Sequence, residues 1–182
     1  SQKGVPSSIT MLKPEHISAY SLIIEEGTPF WDQYGPGAGR VKAGAAFPLP
    51  DEDTENRIYH LTRDFLRDMG YNRYEISNYA KPGKECRHNI GYWTEVSYLG
   101  LGLGASSYMD GCRFSNEKDM RRYLSLDLEH DCGEGLRELA GPVEQLSREA
   151  RMEEFMFLGL RMTRGVSEMD FVRLFGVKMD TV

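Results

Sequence analysis

The chain has 182 residues, with 22 Lys and Arg against 28 Asp and Glu, and a formal net charge of −6 at pH 7. This acidity argues against a nucleic-acid-binding protein, because such a protein needs Lys and Arg to displace counterions from phosphates. Hydrophobic residues make up 40% and charged residues 27% of the sequence, which is typical of a globular chain and excludes a disordered one.

Three cysteines, Cys86, Cys112 and Cys132, are widely spaced and form no CxxC pair. An odd number of scattered cysteines does not indicate a disulfide framework, so we expect a reducing compartment, the cytoplasm. Cys86 and His88 could share one side of an extended chain, but no nearby Cys/His pair completes a zinc site, which takes three or four protein ligands.

The first half of the chain predicts a strand, a loop and a helix. Glu15–Ile24 is rich in β-branched and aromatic residues, which predicts a buried strand. Residues 35–50 are rich in Gly and Pro, which predicts a mobile surface loop. Asp51 is a good N-cap for a helix that ends near Gly70. Its predicted core stripe consists of Ile58, Leu61, Phe65, Leu66 and Met69.

Two further strands are predicted, at Arg73–Tyr79 and at Val96–Leu103, with a loop at Ala80–Cys86 between them. The order strand, helix, strand, strand suits part of a parallel α/β sheet or barrel. Alternation on the strands would group polar side chains on one face, as in a barrel interior or a hydrogen-bonded core. These groups are His16, Ser18 and Tyr20 on the first strand, and Glu75, Ser77 and Tyr79 on the second.

After Asn116 the pattern becomes helical. It predicts helices at Lys118–Leu128, at Val143–Arg164 and, capped by Ser167, at Ser167–Phe175. The last two, joined by a turn at Gly165, indicate a separate small helical module. We therefore predict two domains, residues 1–128 and residues 129–182.

The densest group of candidate functional residues lies in the segment Tyr79–Trp93, after a predicted strand. Ligands of α/β folds bind outside such strand ends. His88 could ligate a metal or haem iron or transfer a proton, and Tyr92 and Trp93 could stack on a planar ligand. The structural alternative is that His88 and Asn89 hydrogen-bond a loop while the aromatic rings cover a core edge.

A glycine-rich run, Gly100–Gly104, continues into Ala105-Ser106-Ser107. Glycines at alternate positions allow close approach, either of a cofactor or of another chain segment in a tight bend. The run lacks the glycine spacing of the dinucleotide fingerprint and leads into a predicted short strand rather than a helix.

Four segments together resemble the oxygen-independent coproporphyrinogen III oxidase-like family of radical S-adenosylmethionine proteins. They are PEHISAYSLIIEEGTPF (14–30), LPDEDTENRIYHL (49–61), YEISNYAKPGKECRHNIGYW (74–93) and YLGLGLGASSYM (98–109). HNIGYW, His88 to Trp93, is similar to the HNxxYW signature of the haem-chaperone branch. The resemblance implies an α/β fold: the C-terminal part of a partial (β/α) radical-SAM barrel, followed by the start of a small helical domain.

The resemblance also implies cofactors. A CxxxCxxC loop holds a [4Fe–4S] cluster in the family, and the cluster binds and cleaves S-adenosylmethionine. This sequence contains no CxxxCxxC, so we expect a fragment that is inactive alone and leave open whether it acts as an enzyme. Two sets of site residues are implied. Ile90, Gly91, Gly102, Gly104, Ala105 and Ser106 match the S-adenosylmethionine pocket, and His88, Tyr92 and Trp93 match the haem or tetrapyrrole site.

Three functions stay open on these grounds. The leading hypothesis is haem binding and transfer, with His88 as axial iron ligand and a haem-acceptor protein as partner. The first alternative is a true oxidase that decarboxylates the propionates of coproporphyrinogen III to vinyl groups. The second is a non-catalytic interaction module.

Overall fold

The computed structural model describes residues 11–35, 49–126 and 139–181. They divide into two compact units, Ser1–Glu85 and Cys86–Val182. The predicted domain boundary at residues 128 and 129 lies outside the described residues and stays a prediction. Most of the predicted 35–50 loop and Cys132 also lie outside them.

Among its described residues, the first unit has three short strands and two helices with assigned bounds. In chain order these are β1 (His16–Ser18), α1 (Pro29–Tyr34), α2 (Glu52–Asp68), β2 (Asn72–Arg73) and β3 (Asn78–Ala80). The strands form one antiparallel sheet in the order β1-β3-β2, with Ile17 and Arg73 both opposite Tyr79. Leu66, Tyr71 and Tyr79 form the buried core of this unit.

Helix α2 begins and ends as the sequence predicts. The Asp51 carboxylate accepts a hydrogen bond from the backbone N–H of Thr54 at 2.8 Å, which satisfies one of the free donors of the first turn. The helix ends before Gly70, whose φ of +86° favours glycine. Only part of the predicted apolar stripe is buried, because Ile58 and Leu61 stay 51% and 67% exposed.

Two predicted strands of the first unit are wrong in extent. Glu15–Ile24 forms only the three-residue β1, because its partner β3 also has three residues. The predicted strand Arg73–Tyr79 is a hairpin in which β2 and β3 pair antiparallel. The buried Glu75 accepts a hydrogen bond from the backbone N–H of Ser77 at 2.7 Å, which stabilises the turn and breaks the predicted alternation.

The polar residues of β1 hydrogen-bond to the adjoining hairpin. The His16 ring is hydrogen-bonded to the Tyr74 hydroxyl at 2.8 Å, and the Ser18 hydroxyl donates to Asn78 Oδ1 at 2.5 Å. Ser18 is nevertheless exposed, His16 is half-buried and Tyr20 is 70% exposed, so the predicted polar face is not a buried one.

The described part of the second unit combines one sheet with four helices of assigned bounds. Its elements are α3 (Arg87–Trp93), β4 (Ser106–Met109), β5 (Cys112–Ser115), α4 (Met120–Ser125), β6 (Glu144–Gln145), α5 (Arg148–Gly159), α6 (Glu168–Phe175) and a 3-10 turn (Met179–Thr181). The sheet is antiparallel in the order β4-β5-β6. Parallel pairing, which the element order suggests, therefore does not occur among the described strand pairs.

The predicted strand Val96–Leu103 is also wrong, since only Tyr98 pairs there, in an isolated bridge to Tyr108. The glycine run that follows makes a turn and leads into β4, as predicted. The predicted helix Lys118–Leu128 is shorter in the structure, with Asp119 as the N-cap of α4.

The two helices predicted at the end of the chain are present as α5 and α6. Ser147 caps α5 and Ser167 caps α6, each accepting a hydrogen bond from a backbone N–H three residues on. Helix α5 begins later than predicted, because Glu144 and Gln145 pair with β5. Met152 and the three phenylalanines Phe155, Phe171 and Phe175 form the buried core of these two helices. Within the described ranges, no helix is long and apolar enough to cross a membrane.

Candidate functional site

The segment HNIGYW forms helix α3, which starts after Cys86. On a helix, residues four apart lie on the same face. His88 and Tyr92 accordingly meet edge to face, with ring centroids 4.6 Å apart and an interplanar angle of 69°. The His88 side chain is exposed, and no described residue hydrogen-bonds its imidazole. A ring nitrogen is therefore available to an external ligand.

Three tyrosines continue from His88 into the unit, and we call the four rings the aromatic ladder: His88, Tyr92, Tyr98 and Tyr108. Tyr92 and Tyr98 lie 4.6 Å apart at 83°, and Tyr98 and Tyr108 lie 6.3 Å apart at 40°. Such tilted and edge-to-face pairs are the favoured arrangements of aromatic rings. The backbones of Tyr98 and Tyr108 also exchange two hydrogen bonds, of 2.7 and 2.9 Å, which hold the inner end in place.

Trp93 belongs to a different environment from His88 and Tyr92. The guanidinium carbon of Arg161 lies 4.4 Å from the centroid of its ring, a cation–π contact. Trp93 Nε1 and Arg161 Nε are both buried and have no hydrogen-bond partner among the described residues. The structure thus brings His88 and Tyr92 together and uses one face of the indole to pack against Arg161.

Glu95, directly after α3, is a residue that the sequence analysis missed. It has φ of +59°, and its side chain is 2% exposed. Its Oε1 accepts hydrogen bonds from the Tyr108 hydroxyl at 2.5 Å and from Arg151 Nε at 2.8 Å. We call Glu95, Tyr108 and Arg151 the Glu95 network. It anchors the inner end of the aromatic ladder to helix α5.

Burial raises the pKa of Tyr108 from 10.0 to about 12, and its hydrogen bond to Glu95 adds to this effect. Because the folded-state pKa lies above the unfolded one, the native state holds this proton more tightly, and stability falls as the pH rises above about 10. We expect a loss of about 1 kcal/mol from this group between about pH 9 and about pH 11. Urea unfolding at both pH values should show this loss in the wild type. Tyr108→Phe should lack it, and equal losses in the two proteins would contradict it.

The glycine run makes a tight turn. Gly102 and Gly104 have φ of +100° and +65°, and a Cβ at Gly100 would lie 2.3 Å from the carbonyl oxygen of Ser106. The buried Asn116 amide donates to the carbonyls of Gly100 and Gly102, at 3.2 and 2.9 Å. Of the two alternatives for the glycine run, cofactor approach and a tight bend of the chain, these contacts match the tight bend.

The remaining predicted cofactor residues divide between two places. The carbonyl of Ile90 accepts a hydrogen bond from the Thr94 hydroxyl at 2.9 Å, and a Cβ at Gly91 would lie 3.5 Å from the Val96 side chain. Ser106, in contrast, is exposed, and its hydroxyl lies 3.1 Å from that of Ser115. Ser106 therefore presents a polar side chain on the open surface of the sheet.

Two cavities adjoin the aromatic ladder. A cavity of about 280 Å³ is lined by Tyr92, Trp93, Tyr98 and Tyr108, among others. A larger cavity of about 900 Å³, which we call the sheet cavity, lies against β4 and β5 and is lined by Tyr98, Ser106 and Ser115, among others. Its volume falls in the range of small-molecule sites. Tyr98 lines both cavities, so the ladder borders a space large enough for a ligand.

Comparison with known proteins gives matches along the whole chain. A family model described as the HemN C-terminal domain matches residues 146–182. The heme chaperone HemW of Lactococcus lactis is 38% identical over 161 residues, which are 85% of this chain and 37% of that protein. The heme chaperone HemW of Bacillus subtilis is 36% identical over 169 residues, 93% of this chain and 41% of that protein. Over most of its length the chain is thus similar to proteins named heme chaperones, and its last part matches the HemN C-terminal domain.

The fold of the chain also matches a solved structure. Coproporphyrinogen III oxidase HemN from Escherichia coli, a radical SAM enzyme, superposes with a TM-score of 0.60 over 94% of this chain and 39% of that one, at 17% identity. This likeness confirms the predicted α/β radical-SAM fold. The described sheets are partial and do not close a barrel. The chain spans about two fifths of the length of the curated relatives named above.

The family implies S-adenosylmethionine and a [4Fe–4S] cluster for the full-length protein. The described residues do not fit the cluster: they contain no group of three His, Cys, Asp or Glu that could hold a metal ion, and Cys86 and Cys112 are free thiols. They fit S-adenosylmethionine only in part. Gly102 and Gly104 already use a carbonyl and an N–H within the protein, whereas Ser106 presents its side chain. The exposed imidazole of His88 does fit haem iron.

Proposed function

We propose that the protein binds haem through His88 and passes it to an acceptor protein, in the cytoplasm. The observation that carries this proposal is the exposed imidazole of His88, which no described residue hydrogen-bonds and which stands edge-on to Tyr92 at 4.6 Å. Imidazole is a common axial ligand of haem iron. The free thiols of Cys86 and Cys112 favour a reducing compartment.

The aromatic ladder supports the same ligand. Tyr92 and Tyr98 offer flat apolar rings beside the imidazole, together with hydroxyl groups that can hydrogen-bond a ligand edge. A site on one face of a short exposed helix would hold the macrocycle without enclosing it. An open site of this kind suits a protein that releases its ligand to a partner.

The relatives favour haem transfer over oxidation of coproporphyrinogen III. Those at 36 and 38% identity are named heme chaperones, whereas the likeness to the oxidase, at 17% identity, concerns the fold. We also propose that the family's S-adenosylmethionine lies beside Ser106, with Ile90, Gly91, Gly102, Gly104 and Ala105 shaping the surrounding backbone. When bound to a reduced cluster, that cofactor would supply radical chemistry, which haem transfer does not require.

Replacing His88 by alanine should weaken haem binding by about tenfold or more, since a lost iron ligand costs at least about 1.4 kcal/mol. The Soret band of the bound haem should also shift, because the iron changes its axial ligand. Both are measured by titrating haem into the 182-residue chain and recording the absorption spectrum.

His60→Ala is the matched control for this experiment. His60 is also exposed on a helix and also meets a tyrosine edge to face, Tyr59 at 5.6 Å. We expect it to leave the affinity and the spectrum unchanged. Equal effects of the two substitutions, or no effect of either, would exclude His88 as the ligand. Conversion of coproporphyrinogen III by the full-length, cluster-loaded protein would favour the oxidase alternative instead.

A further inference from the structure

The sheet cavity combines basic side chains with hydroxyl groups. Three cationic residues line it, Arg113, Lys118 and Arg122, and the two anionic lining residues are Glu117 and Glu144. The Ser106 and Ser115 hydroxyls, 3.1 Å apart, lie on adjacent strands of the same wall. Cations and hydroxyl donors together are the groups that bind a carboxylate.

The cations differ in how far the protein already neutralises them. Arg113 donates two hydrogen bonds to Glu154, at 2.7 and 2.6 Å, and so is held as a structural pair. Arg122 lies 3.2 Å from Glu117 but is 70% exposed. Lys118 forms no ion pair with any described residue. The ammonium of Lys118 and the open side of Arg122 are therefore available to a ligand.

The carboxylate of Glu117, which lines the sheet cavity, is already hydrogen-bonded within the protein. It accepts hydrogen bonds from the backbone N–H groups of Lys118 and Asp119, both at 2.8 Å. These bonds and the nearby Arg122 hold the pKa of Glu117 below its usual value. Its negative charge is thus partly satisfied by the start of α4, and it opposes an incoming anion less than a free carboxylate would.

The sheet cavity and the proposed haem site both adjoin the aromatic ladder. Tyr98 lines the cavity and contacts Tyr92 at 4.6 Å, and Tyr92 contacts His88 at the same distance. A flat ligand that reaches from His88 across these two rings arrives at the cavity. Haem is such a ligand, and its two propionate carboxylates stand on one edge of the ring.

We propose that the sheet cavity binds the propionates of haem while His88 ligates the iron. Lys118 and Arg122 supply the positive charges, and Ser115 supplies a hydroxyl donor. This inference rests on the proposed function, because it requires that haem be the ligand at His88. The propionate edge of the macrocycle would enter the cavity, so the site should prefer a tetrapyrrole that carries carboxylates.

The test compares haem with its dimethyl ester, which keeps the macrocycle and the iron but has no propionate charge. The 182-residue chain is titrated with each ligand, as wild type and as the double variant Lys118→Gln/Arg122→Gln. The wild type should bind haem about tenfold more tightly than the ester, since two exposed ion pairs contribute up to about 1 kcal/mol each. The double variant should bind the two ligands equally.

The control variant is Arg121→Gln/Lys178→Gln, which removes the same charge from two exposed residues that do not line the cavity. It should keep the preference for haem over the ester. If haem and its ester bind the wild type equally but His88→Ala weakens both, this inference fails and the proposed function stands. If the preference falls equally in both double variants, the cavity plays no part and net charge explains it. If neither ligand binds, the proposed function itself fails.

Discussion

Replacing Glu95 by alanine is expected to lower the free energy of unfolding by about 3 kcal/mol, because breaking a buried ion pair costs about 3–5 kcal/mol. The Glu95 side chain is 2% exposed and accepts hydrogen bonds from Arg151 and Tyr108. Its removal leaves the Arg151 guanidinium without its carboxylate and the buried Tyr108 hydroxyl without its acceptor. We place the estimate at the low end since the Arg151 side chain is 29% exposed.

Urea unfolding of the 182-residue chain measures this loss, with Glu153→Ala as control. Glu153 is exposed on α5, so its removal should change stability by less than about 0.5 kcal/mol. Glu95→Gln should cost less than Glu95→Ala, because the amide oxygen can still accept from Tyr108. If Glu95→Ala proves as mild as Glu153→Ala, the Glu95 network does not hold the ladder to α5.

Phe171→Ala is expected to cost about 3–5 kcal/mol, as for large buried aromatic residues elsewhere. The Phe171 side chain is 2% exposed and contacts the rings of Phe155 and Phe175, with centroids 5.5 and 4.8 Å away. Because this cluster is the contact between α5 and α6, a cavity there should separate the two helices. The expected result is a lower midpoint of urea unfolding with loss of helical circular dichroism.

Phe157→Ala is the matched control, since Phe157 lies on α5 but is 70% exposed. It removes the same ring from the same module without opening a cavity, so we expect a change within about 0.5 kcal/mol. Comparable losses from both substitutions would mean that the exposed face of α5 is covered in solution and that the buried cluster is not the main source of stability.

The features predicted correctly from the sequence are local ones. Asp51 and Ser167 are capping residues, and each satisfies a backbone N–H three residues away, so the nearby sequence carries the whole signal. The candidate site is partly local in the same sense. His88 and Tyr92 are singled out from the motif, and their contact follows from helical spacing once α3 forms.

The errors in the predicted fold arise where distant residues decide the structure. Arg73–Tyr79 has the composition of a single strand, but the buried Glu75 turns the chain and makes a hairpin. Because a turn separates the two halves of this segment, alternate residues do not lie on one face of a single strand. Val96–Leu103 likewise has strand composition, but Asn116, 14 residues from Gly102, holds it as a turn.

The acidity of the chain argues against nucleic-acid binding, and the motifs alone identify the family that it resembles. The sequence also determined the helix caps, the terminal helical module and the candidacy of His88, since each depends on residues within one or two turns. Only the tertiary structure placed Arg161 over the ring of Trp93, joined Glu95 to Arg151 across 56 residues and placed Ser106 beside Ser115. These contacts join residues far apart in the chain, and their partners depend on how whole elements pack.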